Sequence, residues 1–343
     1  MAALCRLAAL VLLAAALLPA ASGADDGLSR CAKLEKADER LACYDELART
    51  TPSASGEPVE TFPRPSYLTR TWKLGPGDAG VRHMADILSH RPNYILVRWT
   101  DSPNERPRSP ATGRASLGEL NHAELKLQAS FKTELISRQA FEWAGVTDDL
   151  RPLGIDSVRL WFAHTQKLDW QVFNHGDSRP IRETNYEPEL ILTLGTGNQG
   201  NGFKLINLGL AHESNGLGRS EHRGWSRMSA QAGWEWDRLA LLARAWRVIP
   251  SSDDDNPNIE RYMGWWDTVA RYQTAGGYVI SALMRRNAQT DRGFLQLDAA
   301  TPISNVLGGL KFHVQLSSGY GETLLDYNHK QTTIGVGVSF GDW

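Results

Sequence analysis

The stretch that most limits the fold of this chain is its last, "TTIGVGVSFGDW", from Thr332 to Trp343. Side chains alternate along a strand, so Ile334, Val336, Val338 and Phe340 share one face while Thr333, Gly335, Gly337 and Ser339 take the other. The same period recurs upstream. In "VRLWFAHTQKLDWQV" the even positions Val158, Leu160, Phe162, His164, Gln166, Leu168, Trp170 and Val172 are mostly apolar, whereas Arg159, Lys167 and Asp169 charge the odd side. In "ELILTL" the residues Leu190, Leu192 and Leu194 line up on one face. A chain patterned this way is all-β and antiparallel.

It is also exported. The opening "MAALCRLAALVLLAAALLPAASGADDG" has one arginine, an unbroken apolar run and small residues before Asp25, which reads as a signal peptide over residues 1–24. A single anchoring helix is the competing reading. Cys31 and Cys43 then remain, flanking "CAKLEKADERLAC". An even cysteine count in an exported chain favours a disulfide. An unbroken helix would hold the two too far apart, so a bridged segment has to turn back on itself. Residues 25–65 read as a periplasmic extension that runs out through the linker "RTTPSASGEPVETFPRPS", and residues 66–343 as the β-domain.

Formal net charge is −2, which offers no basic face for nucleic acid, and no second run of about twenty apolar residues exists. Two architectures fit the alternation: a soluble sandwich or barrel with its apolar face inside, or an outer-membrane barrel with that face outside. Parity alone does not separate them. Export, alternating strands of about ten residues that continue to the end of the chain, and the terminal aromatic Trp343 favour the transmembrane barrel.

On that reading "AHESNGLGRSEHRGWSR" (Ala211–Arg227) becomes the stretch of interest. His212 and Ser214 continue the stripe of Ile206, Leu208 and Leu210, and Ser226 heads the stripe of Met228, Ala230, Ala232, Trp234 and Trp236. Polar groups on a lipid-facing wall are costly and mark function. Paired as a hairpin, the two strands would bring His212, Ser214 and Ser226 together: a base, a nucleophile and a third group beside the base, the minimum for acyl transfer. On such a wall the substrate is lipid. His-x-Ser is by itself a weak pattern, and its bland alternative is two polar residues at headgroup level.

"HESNG" and "RGWSR", with "TQKLDWQ", "RETNYEPEL", "DDNPNIERYMG" and "GYGETLLDYN" in the same order, resemble the outer membrane phospholipase A family over roughly residues 93–343, with the leader outside the likeness. The resemblance implies a barrel of about twelve strands, active on phospholipid acyl esters as a calcium-bound homodimer in the outer membrane. It implies Ser214 as nucleophile, His212 as base, and a backbone amide at Asn215–Gly216 plus calcium-bound water for the oxyanion. The calcium ligands it implies, shared between protomers, fall on Ser178, the carbonyl of Leu217 and the position of His222; Gln166 falls at the dimer interface.

The chain departs from that pattern at two places. Ser226 stands where the family has the asparagine that orients the histidine; a hydroxyl can accept the imidazole N–H but is shorter, which predicts a working, weakened orienter. His222 stands where the family has a calcium-ligating serine, and imidazole is a poor ligand for calcium; Ser220 or Glu221 could substitute if the turn is rearranged. The competing readings are a barrel with a decayed site and a structural or binding role, and a small-solute channel. Against the channel stand Arg159, Trp161, Lys167, Asp169, Glu235 and Asp237, all assigned by parity to the lumen.

Overall fold

The structure, a computed structural model, describes residues 34, 36, 38–43, 66–75, 86–176, 178–252, 254–303 and 309–341. The signal peptide, Cys31 and Trp343 lie outside the described residues; Cys43 is disulfide-bonded. The chain divides into the units Met1–Arg64 and Pro65–Trp343, and the second carries the fold described below.

Twelve strands form one antiparallel barrel. They are β1 (Asn93–Thr100), β2 (Ala123–Ile136), β3 (Ser157–Trp170), β4 (Ile181–Gly195), β5 (Gly202–Ser214) and β6 (Gly224–Trp236). After them come β7 (Leu239–Ile249), β8 (Trp266–Gln273), β9 (Val279–Asn287), β10 (Arg292–Pro302), β11 (Lys311–Tyr320) and β12 (Lys330–Phe340). Each pairs with its neighbour in sequence, and β12 pairs with β1 to close the wall, from Phe340↔Asn93 to Thr333↔Thr100. Closure leaves no free edge, the condition for a sheet to cross a membrane. Among the described residues no helix is long and apolar enough to do so.

The two faces settle which architecture this is. Ile95, Val97, Trp99, Leu208, Leu210, Leu295, Leu297, Leu316, Ile334 and Val336 are exposed on the outside. Inside lie Arg98, Glu124, Lys126, Arg159, Asp169, Arg182, Glu187 and Arg227, all buried. A soluble barrel would have these faces exchanged. The interior ions are paired, as burial requires: Arg98 meets Glu124, Asp169 and Glu322, and Arg182 meets Glu124 and Asp326.

Both ends of the lumen are stoppered. At the end where β1 begins and β12 finishes, a short helix, α1 (Tyr67–Thr71), pushes Leu68, Trp72 and Leu74 in against Trp161, Ala163, Ile191 and Leu205. The ammonium of Lys132 lies 3.3 Å from the centre of the Trp72 ring, and Leu68 N–H donates to Glu235 at 3.1 Å. At the opposite end the connection between β11 and β12 folds inward, burying Glu322, Leu324, Leu325, Asp326 and Tyr327. Between the stoppers is a polar cavity of about 210 Å³. Of the residues assigned to the lumen by parity, Arg159, Trp161, Asp169 and Glu235 are buried there and Lys167 is half-buried. Asp237 is not: it turns the chain between β6 and β7 at φ +50° with its side chain 85% exposed. Parity carried past a turn assigns a face that no longer exists.

Candidate active site on the outer wall

The β5–β6 hairpin runs in unbroken register from Leu205↔Gly233 to Ser214↔Gly224, which sets His212 opposite Ser226. His212 Nδ1 and Ser226 Oγ are 2.9 Å apart. Ser214 follows two residues after His212 on the same face, and the amide of Gly216 donates to its Oγ at 3.2 Å. Gly216 adopts φ +65°, a conformation that L side chains rarely hold, which turns the chain away beyond the amide. Opposite Ser214 on β6 is Gly224, so no side chain crowds the hydroxyl from that strand. On β4, Tyr186 pairs with Ser214, and Gln166 on β3 pairs with Tyr186. Gln166, Tyr186 and Ser214 thus form one outward row, with Gln166 about 10 Å from the nucleophile at two strand spacings.

The inward residues of the same strands form an ion network. Glu213, between His212 and Ser214, accepts from Trp225 Nε1 at 3.0 Å and from Arg227 at 3.2 Å. Arg227 stacks over the Trp225 ring, 4.3 Å from its centre, and pairs with Glu187 on β4. Arg91 joins Glu187 to Glu189, and Glu189 reaches His90. Ser226 therefore stands between two residues, Trp225 and Arg227, that are both tied to the carboxylate behind the base.

Above the hairpin, the turn 215–223 is held mainly by Asn215, which is buried. Its Oδ1 accepts from the amides of Leu217 and Arg223, its Nδ2 donates to the Glu221 carbonyl, and its own amide donates to Arg223 O. Arg223 donates to the carbonyls of Ser220 and His222 and to Thr112 Oγ1. His222 Nδ1 lies 2.5 Å from Asp255 Oδ2, a residue of the connection between β7 and β8.

The structure brings His212, Ser214, Ser226 and Gly216 together, with Leu217 in the same turn. Ser178 is exposed in the β3–β4 connection at φ +57°, and the structure does not bring it into hydrogen-bonding contact with that group. His222 is engaged by a carboxylate. Sequence reading assigned no role to Tyr186, Gly224 and Asp255, and of Asn215 considered only the backbone amide. Tyr186 was within reach of the alternation, since it shares parity with Leu190 on the exposed face. Gly224 likewise shares parity with Ser226, whereas Asn215 and Asp255 owe their places to a turn and to a contact across 33 residues, which no periodicity reports.

Fold and faces define a class: closed antiparallel β-barrels that span a membrane, with an apolar wall outside and a charged lumen within. Within that class the chain belongs to the phospholipase A1 family, whose model matches residues 68–340. A putative phospholipase A1 of Neisseria meningitidis serogroup B is 33% identical over 95% of this chain and 94% of its own length. The phospholipase A1 of Escherichia coli K12 is 36% identical over 64% of this chain and 70% of its own. Among solved structures, the Escherichia coli outer membrane phospholipase A superposes with a TM-score of 0.65 at 28% identity, covering 81% of this chain and 98% of that one. The Salmonella typhi outer membrane phospholipase dimer with bound calcium gives 0.63 at 29%, covering 76% and 94%.

Together these show an outer-membrane phospholipase that hydrolyses phospholipids. They also correct the expected extent of the likeness. The family match begins at residue 68, taking in most of the stopper helix, and the meningococcal relative reaches into the leader.

Proposed function

We propose that the chain cleaves acyl esters of phospholipids with Ser214 as nucleophile, His212 as base and Ser226 as the residue that orients the base. The observation that carries this is the 2.9 Å contact between His212 Nδ1 and Ser226 Oγ on the lipid-facing wall. Donated to Ser226, the Nδ1 proton leaves the lone pair on Nε2, which then takes the Ser214 proton as the hydroxyl attacks the ester carbonyl. His212 then returns that proton to the departing glycerol oxygen, leaving an acyl-serine for water to hydrolyse. The Gly216 amide, 3.2 Å from Ser214 Oγ, is within reach of an oxyanion on the carbon bonded to that oxygen.

Dimerisation through the Gln166 face would set a second copy beside Tyr186 and Ser214, enclosing the ester between two walls and excluding water. The leader, residues 25–65, is assigned to the periplasm and the hairpin end of the barrel to the outer leaflet. Calcium is a property of the Salmonella typhi dimer. Of the ligands implied for this chain, Ser178 and the Leu217 carbonyl offer oxygen, but His222 offers an imidazole already bonded to Asp255, a donor that does not fit a hard cation. No step of the reaction is routed through a metal.

The test is fatty-acid release from phospholipid in mixed micelles by the refolded protein and by Ser214→Ala. Loss of at least about 10³-fold in kcat with unchanged barrel stability is expected. Hydrolysis that survives the substitution would remove Ser214 from the role.

A further inference from the structure

We propose that Asp255 and His222 are positioning residues that hold the turn carrying Gly216 in its working geometry without calcium. This rests on the reading of Ser214 and Gly216 given above. It starts from a mismatch of donors. A calcium site needs six to eight oxygens, commonly carboxylates, and favours them over nitrogen. At position 222 this chain presents an imidazole, and its Nδ1 sits 2.5 Å from a carboxylate oxygen of Asp255.

The contacts that replace a bound ion are visible around the turn. Asp255 is itself fixed, because its backbone carbonyl accepts from Ser109 Oγ in the connection between β1 and β2. The next residue, Asn256, is wholly buried and accepts the Gly224 amide at 3.1 Å. Thr112, from the same connection as Ser109, donates to the Ser220 carbonyl at 3.2 Å. Arg223, also wholly buried, places a fixed positive charge among the carbonyls of Ser220 and His222 at 2.9 and 2.6 Å. Asn215 staples both ends of the turn from within.

The turn is therefore gripped from three connections at once: its own, the one holding Ser109 and Thr112, and the one holding Asp255 and Asn256. His222–Asp255 is the contact that ties the far side of the turn to the β7–β8 connection. A cation that would otherwise order such a turn has its work done by a guanidinium and an imidazole–carboxylate pair. The Asp255 carboxylate is engaged by His222 rather than open to an ion. Removing His222 frees that carboxylate, and replacing it with serine adds a hydroxyl, which together restore oxygen chemistry at this position.

The experiment uses the full chain refolded in detergent, with calcium chloride or a chelator. Two quantities are followed: steady-state hydrolysis of a phospholipid in mixed micelles, and the midpoint of thermal unfolding. The native protein is expected to keep its kcat within about 2-fold in chelator and to show no calcium-dependent rise in unfolding temperature. Asp255→Asn is expected to lower kcat about 10-fold in chelator with little change in KM, the mark of a geometry needed in the transition state rather than for binding. His222→Ser is expected to gain a rise in unfolding temperature with calcium.

A calcium-dependent rise in unfolding temperature for the native protein overturns the proposal, whatever its activity. So does an Asp255→Asn kcat equal to native in chelator, or a His222→Ser protein that does not respond to calcium. A native protein inactive in both media yet unresponsive to calcium in unfolding would instead defeat the Ser214 reading while leaving the metal-free turn in place.

Discussion

The outward and inward faces of the β5–β6 hairpin are built on opposite plans. Outward, among the described residues, a single side-chain contact of 2.9 Å joins His212 to Ser226, Ser214 accepts only the Gly216 amide, and Leu210 and Met228 on the same face are exposed. Inward, Glu213, Trp225, Arg227, Glu187 and Arg91 form a continuous chain of charge-assisted bonds. Chemistry on a surface bathed in hydrocarbon cannot draw on a deep polar pocket for support. The hidden face supplies the rigidity instead, with the alternation of the strand as the link: fixing Glu213 against Trp225 and Arg227 fixes the residues on either side of each.

That division can be broken from either side, and the larger effect is expected from within. Arg227→Met leaves Glu213 and Glu187 without their shared partner, and breaking a buried pair of this kind costs about 3–5 kcal/mol. Denaturant unfolding in micelles should show that loss, and kcat should fall with it although no catalytic atom has been touched. An Arg227→Met protein with native stability and native kcat would mean that the two faces are independent.

A smaller, opposite effect is expected on the outside. Ser226→Asn lengthens the orienting side chain and offers a carbonyl oxygen to the imidazole, so kcat should rise about 10-fold at unchanged unfolding midpoint. Measured kcat at or below native would remove Ser226 from the orienting role.

The smallest effect concerns the inward-folded connection that stoppers the hairpin end. Burial alone would raise the carboxyls of Glu322 and Asp326; Lys126 and Arg98 beside Glu322, and Arg182 beside Asp326, hold both below the ordinary carboxylate range. A depressed carboxylate contributes stability above its unfolded value, and that stability is lost as pH falls through the folded one. Protease susceptibility of the 321–329 connection should therefore stay flat near neutrality and climb only below about pH 4. Cleavage that increases already between pH 7 and 5 would show that these pairs do not hold the stopper.

Much of this arrangement was legible before any coordinates. Period-two alternation gave the strands, and counting parity through "LINLGLAHES" and "WSRMSAQAGW" put His212, Ser214 and Ser226 on one wall because the register of a hairpin preserves parity. What stayed hidden follows from the same cause. The helix α1, inside "SYLTRTWKL", has no period to announce that Leu68 and Trp72 belong in a lumen; their partners, Trp161 and Leu205, are about ninety or more residues away. Asp237 was misplaced because alternation stops at a turn, and Asp255 was overlooked because ionic contacts between connections leave no trace in spacing.

The two stoppers carry a further consequence for the membrane that holds this barrel. A wall of twelve strands is wide enough to short-circuit a permeability barrier if its middle were open. Here an ion travelling the axis would have to dislodge Trp72 from Lys132 at one end, part Arg98 from Glu322, and unseat Asp326 from Arg182 at the other. The paired charges that fix the two stoppers thus serve as electrical insulation, so the membrane gains a phospholipase without gaining a leak.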